Sequence, residues 1–487
     1  MRLGGILLAG CALGLLPAGA AQADTLRDAL IRTYAVNPTL TAARARLRAI
    51  DEGVPIAKAA ARPQAEVNAS VSRTFNLRNT LAGDLYNASA QGDLSYSIYA
   101  GGRVRNGIKG ADARVDAGRA ELRGTEGDVF TQAVGAYMDL IRDEAIVELN
   151  KNQVRVLETN FQASKDRFEV GDLTRTDVAQ SEARLALAES RLASAIGQAT
   201  VSHENYERLI GARPGVLEPP PPLPVLPATP DAAVQIALAE NPDVEAIEAN
   251  VRAARYDVSV ARADRRPTLG AAASSSYQNY LGSLTGFTAV TTANDAADAR
   301  VALQARIPLY QGGGVAARVR QAQALQSQSI EQSVETERFV IANARATYAS
   351  YQAALETIVS SEKAVSANSL ALEGTRAENT VGTRTILDVL NAEQELLNSQ
   401  VQLVTARRDA YVAGFALLNA MGQAEMRDLG LDGGPLYDPL VNYQRVRGKL
   451  SDWDDDPEPQ AEATRTRGDL RPTPVVVGPP APPPAGQ

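Results

Sequence analysis

The chain contains itself twice. Asn37-Pro38 followed by Arg62-Pro63 recurs as Asn241-Pro242 followed by Arg266-Pro267, an offset of 204 residues (241 minus 37, 266 minus 62). Beyond that point Tyr99-Ala100-Gly101-Gly102 recurs as Tyr310-Gln311-Gly312-Gly313, and Gly171, Thr174, Asp177 and Val178 recur as Gly382, Thr385, Asp388 and Val389, all at an offset of 211 (310 minus 99, 382 minus 171). The register changes once, between Pro63 and Tyr99. Each half is therefore one structural unit, and a two-unit repeat points to a symmetric assembly rather than to a single catalytic pocket.

Composition supports that reading. At 487 residues the length alone suggests about three domains, but the repeat overrides it. Aromatics are 5% of the chain, and there is one His and one Trp, which leaves little for metal or acid–base chemistry. The formal charge of -8 argues against nucleic acid, whose partners carry a basic excess. No catalytic residue, cofactor or metal is expected, and an enzyme offers no nucleophile–base pair here.

Residues 1–23 read as a secretory signal: Arg2 is the positive start, Leu3 to Leu16 the apolar core, and Ala21-Gln22-Ala23 the small-residue cleavage site before Asp24. Leu8-Ala9-Gly10-Cys11 also fits a lipoprotein box that would acylate Cys11, an alternative that stays open. Cleavage after Ala23 leaves no cysteine, and so no disulfide framework.

No later segment offers ~18 consecutive apolar residues, so a membrane crossing would have to be made of strands. Four segments alternate with period two. Val67, Ala69, Val71, Phe75 and Leu77 alternate with Asn68, Ser70, Ser72, Thr74 and Asn76; Ala90, Gly92, Leu94, Tyr96 and Ile98 alternate with Gln91, Asp93, Ser95 and Ser97. The second half repeats this weakly over Leu269 to Tyr280, and again with Val301, Leu303, Ala305 and Ile307 against Arg300, Gln304 and Arg306. Such a pattern suits a transmembrane barrel or a half-exposed soluble sheet. Four strands cannot close a barrel, and open edges are prohibitive in lipid, so several chains would have to share one; three would supply twelve strands.

The stretches Gly102 to Val170 and Gly313 to Val381 contain no proline. At ~1.5 Å per residue each could reach ~100 Å. Apolar residues step by three and four through Ala344, Tyr348, Tyr351, Leu355 and Ile358, and then through Leu390, Leu397, Val401, Val404, Tyr411, Phe415 and Leu418. In the first half Val154, Leu157, Phe161, Ser164 and Phe168 are expected to face Leu185, Ala188, Leu192, Ala195 and Ala199. Steps sustained this long indicate coiled-coil packing. Each long hairpin turns at a glycine, Gly171 or Gly382, with Thr174 or Thr385 placed to cap the returning helix.

These residues resemble the TolC family of outer membrane channels over nearly all of the mature chain. The matching pieces are the Asn-Pro pairs, the Arg-Pro pairs, the Tyr-x-Gly-Gly runs and above all Val381-Gly382-Thr383-Arg384-Thr385-Ile386-Leu387-Asp388-Val389-Leu390. Pro435-Leu436-Tyr437-Asp438-Pro439, with Asn442-Tyr443 and Val446-Arg447-Gly448, is similar to the type I secretion branch. The resemblance implies an α+β membrane protein: a homotrimer whose twelve-stranded transmembrane β-barrel, four strands per chain, sits in outer membrane lipid and continues as an α-helical coiled-coil barrel across the periplasm. It implies a passive duct that docks a periplasmic adaptor and an inner membrane ABC or RND pump. Carried over residue by residue, adaptor docking falls on Gly171, Thr174, Gly382 and Thr385, and the periplasmic gate on Asp177, Arg384 and Asp388. Two positions depart from the family pattern: Asn391 stands where a second aspartate is usual, and Asn379 where a tyrosine commonly joins the gate.

The expected organisation is a signal at 1–23, a first repeat at 24–217 with a hairpin near 65–99 and a tip at 171, and a Pro-rich linker at 218–230. A second repeat follows at 231–430, with a hairpin near 269–307 and a tip at 382, then an extension at 431–487 that is largely disordered after about 451. His203 reads as a surface residue. The functions in play are a secretion duct, a small-molecule or drug efflux duct, and a non-channel coiled-coil surface protein, which would not account for the strands.

Overall fold

The computed structural model describes residues 24–75, 85–283, 293–431 and 436–466. The signal segment with Cys11, the strand residues Asn76 and Leu77, Pro435 and the tail from 467 lie outside them. The first repeat opens with α1 (Leu26–Val36), α2 (Pro38–Asp51) and α3 (Gly53–Ala59), then β1 (Gln64–Thr74) and β2 (Leu85–Ala100), and then the long pair α4 (Arg103–Glu169) and α5 (Arg175–Ile210). The second runs α6 (Pro230–Glu240), α7 (Pro242–Ala263), β3 (Thr268–Asn279), β4 (Asp295–Arg306), α8 (Gly314–Thr380) and α9 (Ile386–Ala420); a short α10 (Pro439–Val446) follows.

The repeated Asn-Pro pairs are helix starts. The Asn37 side chain accepts from the Thr39 amide and that of Asn241 from the Asp243 amide, each with proline in the first turn, where its missing N–H is harmless. The same two side chains tie each repeat to its own hairpin end, Asn37 donating to the Leu209 carbonyl and Asn241 to that of Ala420.

The strands form one antiparallel sheet in the order β1-β2-β3-β4. Register places Val67 opposite Gly92, Leu94 opposite Ala273 and Ala273 opposite Val301, so one face is apolar; Asn68, Gln91, Ser276 and Asp298 make a polar row on the other. Within the chain β1 and β4 each have one unpaired edge. Val67, Val71, Val301 and Leu303 are more than two-thirds exposed. A soluble sheet would cover such a face, so the exposure is that of a surface meant for lipid.

Both α4 and α8 are 67 residues long, about 100 Å. The main core lies at mid-length of the molecule, where Phe130, Val134, Tyr137 and Leu140 of α4 meet Leu30, Tyr206, Ile210, Phe415, Leu417 and Leu418. The Tyr137 hydroxyl lies within hydrogen-bond reach of the carbonyls of Glu218 (2.6 Å) and Asp24 (2.9 Å), which its one proton serves, and so holds the start of the first repeat and the start of the linker against α4. Phe168, expected in the coiled-coil seam, is exposed, because packing between α4 and α5 thins out one turn before the tip. Residues 451–466 form neither helix nor strand; Asp456 pairs with Arg445 of α10 (2.6 Å), and Glu462 with Arg48 of the first repeat (3.4 Å). His203 on α5 faces Glu144 on α4 at 3.1 Å and is well exposed.

Candidate functional site

The two helix turns at the far end from the sheet are built alike. After α4, the Gly171 amide donates to the Phe168 carbonyl and the Asp172 amide to that of Arg167; after α8, Gly382 donates to Asn379 and Thr383 to Glu378. These are paired C-terminal cap bonds that require a left-handed residue, and Gly171 (φ 87°) and Gly382 (φ 82°) supply it. A side chain added at either glycine would meet open space. The constraint is therefore backbone conformation, not crowding.

Thr174 and Thr385 then cap α5 and α9, each in a reciprocal box with the acid three residues on. The Thr385 hydroxyl (2.7 Å) and amide (3.0 Å) both donate to the Asp388 carboxylate, and Thr174 makes the same bonds to Asp177 at the same distances. Those bonds hold both carboxyls below the ordinary carboxylate range. Asp177 and Asp388 are thus fixed anions at helix starts, well placed for the positive end of the helix dipole.

Among the described residues, only the second tip has a further layer. Arg384 pairs with Glu378 at 2.8 Å, which reinforces its charge, and Asn379 donates to the Arg384 carbonyl at 2.9 Å. Among the described residues no hydrogen bond or ion pair joins one tip to the other. The structure therefore brings Arg384 and Asp388 into one tip and keeps Asp177 in the other.

The contacts that join the hairpins lie higher, among residues that the sequence reading missed. Glu393 of α9, with its side chain 2% exposed, accepts from Arg376 of α8 at 2.9 Å and from Asn160 of α4 at 3.1 Å. Asn391 accepts from Arg184 of α5 at 2.7 Å, and Gln394 bonds Arg191. Beside them Leu157, Ala188 and Leu390 form a small apolar knot. A signal was available for Glu393: it stands between Leu390 and Leu397 at steps of three and four, a charge on the apolar stripe. Asn391, noted only as a departure from the family pattern, is one of three acceptors, with Glu393 and Gln394, through which the second hairpin holds the first.

The comparisons with known proteins agree with this architecture. A family model described as outer membrane efflux protein matches residues 30–212 and 233–423, which are the two repeats without the linker. The chain is 34% identical to the outer membrane efflux protein BepC of Brucella suis, over 91% of this chain and 94% of that one. It is 29% identical to the alkaline protease secretion protein AprF of Pseudomonas aeruginosa, over 64% of each. The crystal structure of the Campylobacter jejuni CmeC outer membrane channel superposes with a TM-score of 0.72 over 88% of this chain and 90% of that chain; at 14% identity the likeness carries the fold. The fold is the one these channels share: a four-stranded antiparallel sheet continued by long α-helical hairpins.

Proposed function

The chain belongs to the outer membrane efflux protein family, and from that premise we propose that it is the outer membrane exit duct of a tripartite export machine, a passive homotrimer and not an enzyme. The observation that carries this is the single four-stranded sheet, apolar on one exposed face and unpaired at both edges, rooted on two 67-residue helices. Open edges are prohibitive in lipid, and three copies joined edge to edge remove them. The helical hairpins then extend the pore into the periplasm, where the tips at Gly171, Thr174, Gly382 and Thr385 receive a periplasmic adaptor bound to an inner membrane ABC or RND pump. Asp177, Arg384 and Asp388 narrow and charge the pore end.

Native mass measurement in detergent tests the architecture, with a trimer expected; a monomer or dimer would overturn it. Replacing Gly382 or Gly171 by valine tests the docking role. Forcing a β-branched residue into a left-handed turn costs about 1–2 kcal/mol locally, so transport should be lost while the trimer persists. Normal transport in both variants would remove that role.

For cargo, we propose type I protein secretion, on the likeness of the Pro435 to Gly448 run. Small-molecule efflux is the second reading, favoured by the 34% identity to an efflux protein over nearly the whole chain. The residues of that run serve as anchors here. The Tyr437 amide donates to the Tyr34 hydroxyl, Asn442 donates to the buried Asp51 carboxylate and the Tyr443 hydroxyl to Asp112, which clamps α10 onto α2 and α4. A deletion strain separates the readings: loss of an exported protein with unchanged drug tolerance supports secretion, and the reverse pattern supports efflux.

A further inference from the structure

A cleft of about 210 Å³ lies where the sheet meets the helices, lined by Ala100, Arg103, Asp264, Arg266, Thr268 and Arg306, among others. Its floor is fixed by a close backbone approach. Gly101 has φ 64° and sits so tightly on the end of α7 that a Cβ there would lie 2.7 Å from the Ala263 carbonyl oxygen. The Arg266 guanidinium donates to the Gly101 carbonyl at 3.1 Å, which pins the start of α4 against the α7–β3 corner.

Strand parity gives the side on which the cleft opens. Arg306 pairs with Thr268, which pairs with Ala100, in the last row of the sheet. On β4 the residues sharing its face include Gln304, Arg300 and Asp298, with Ala302 between them, whereas Leu303 and Val301 point the other way and are exposed and apolar. The cleft therefore belongs to the polar face, which lines the pore if the apolar face meets lipid.

Its charge is unbalanced. Three guanidiniums meet one carboxylate, and that one, Asp264, is already paired with Arg318 at 3.4 Å. Arg266 spends one donor on Gly101. The side chains of Arg103 and Arg306 make no hydrogen bond or ion pair among the described residues. Like charges gathered without a counter-ion repel, and guanidinium forks match the paired oxygens of phosphates and carboxylates. The volume, several times the ~30 Å³ of a water molecule, admits such a group with part of its hydration.

We propose that this cleft is an oxyanion-binding site on the pore wall, taking a phosphate or carboxylate group through Arg103, Arg306 and the free donors of Arg266, and repeated three times round the channel. The proposal rests on the channel reading above. It makes the outer mouth of the helical barrel cationic, opposite in sign to the Asp177 and Asp388 tips, and defines anionic groups as a favoured class of passenger or blocker.

The test is conductance of the purified trimer in a planar bilayer, with inorganic pyrophosphate or polyglutamate added from the strand side. Pyrophosphate should reduce the current, and in the Arg103→Gln/Arg306→Gln double variant the half-blocking concentration should rise about tenfold or more. Arg306→Lys, which keeps the charge and loses the fork, should fall between. Block by pyrophosphate alone assigns the site to phosphate, and block by polyglutamate as well assigns it to carboxylate-bearing chains too. Arg300→Gln is the control on the same face. If it weakens block as much as Arg306→Gln, the effect is a diffuse field and the site is overturned, as it is if neither anion blocks the wild type. A trimer that conducts without block leaves the channel reading standing; one that never conducts defeats that reading instead.

Discussion

The same long helices pass through two unlike environments, and the contrast separates what holds this molecule from what moves in it. At mid-length, α4 and α9 bury large side chains with almost no exposure: Phe130, Tyr137, Leu140, Leu417 and Leu418 pack with Tyr206 and Ile210. Toward the tips the apolar knot shrinks to Leu157, Ala188 and Leu390, and the hairpins are joined by amide and guanidinium contacts to Glu393, Asn391 and Gln394. Apolar burial is lost outright when helices separate, whereas polar partners can be exchanged for water. The mid-length core is therefore the fixed ring of the proposed assembly, and the tip end is the part of low local stability, where the proposed adaptor would dock.

The largest effect expected from that contrast is at the fixed ring. Leu417→Ala should destabilise by about 2–5 kcal/mol through the cavity it leaves, read as a lower midpoint of thermal or denaturant dissociation. Val381→Ala at the exposed tip should change that midpoint by no more than about 0.5 kcal/mol. Equal shifts in the two variants would break the comparison.

Next comes the seam between the hairpins. Glu393→Ala strands Asn160 and the half-exposed Arg376, an effect of about 1–3 kcal/mol, and should speed amide exchange around 384–396 while leaving 128–140 protected. Glu393→Gln keeps an acceptor for Asn160 and should do less. Spread of the exchange to the mid-length core would show that the two regions are one cooperative unit.

The caps are smaller still. Thr174→Ala and Thr385→Ala should each loosen a helix start by about 1 kcal/mol, visible as faster exchange at 175–178 and 386–389. The first tip should respond more, since Arg384–Glu378 and Asn379 brace the second.

Acid should act on the two regions in opposite senses, and this is the smallest effect. Burial, joined by repulsion from Glu425 and Asp428, pushes the Glu126 carboxyl up to about 6 from an ordinary 4.5, while it accepts the Met426 amide at 2.8 Å. A raised carboxyl binds its proton more tightly in the folded state, so the mid-length core gains stability as pH falls from about 6 toward 4.5 and loses it on the way back. The lowered carboxyls of Asp177 and Asp388 contribute stability that is present above their ordinary value of 3.8 and is lost only below it. Lowering pH from 7 to 5 should thus raise the dissociation midpoint without loosening the tips, by on the order of 1 kcal/mol, and Glu126→Gln should flatten that rise. A midpoint that falls between pH 7 and 5 would contradict the assignment.

The tips were the most legible part of the site. Glycine and then threonine and aspartate at fixed spacing specify a left-handed cap and a capping box from local chemistry alone, so Gly171, Thr174, Asp177 and their second copies could be located before any packing was known. The seam was not legible, because Asn160, Arg184 and Arg376 carry no local pattern and matter only through Glu393 and Asn391, which lie 17 to 233 residues away in sequence. The internal repeat, the absence of proline over α4 and α8 and the period-two strands determined two hairpin-bearing halves and a sheet that a single chain leaves open, since backbone geometry and hydrophobic period are local properties. Tertiary structure alone decided that the core gathers at mid-length, that the family-like C-terminal run serves as a strap, and that Arg103, Arg266 and Arg306 share one cleft. Each of these depends on which residues, distant along the chain, arrive at the same place, and periodicity does not encode that.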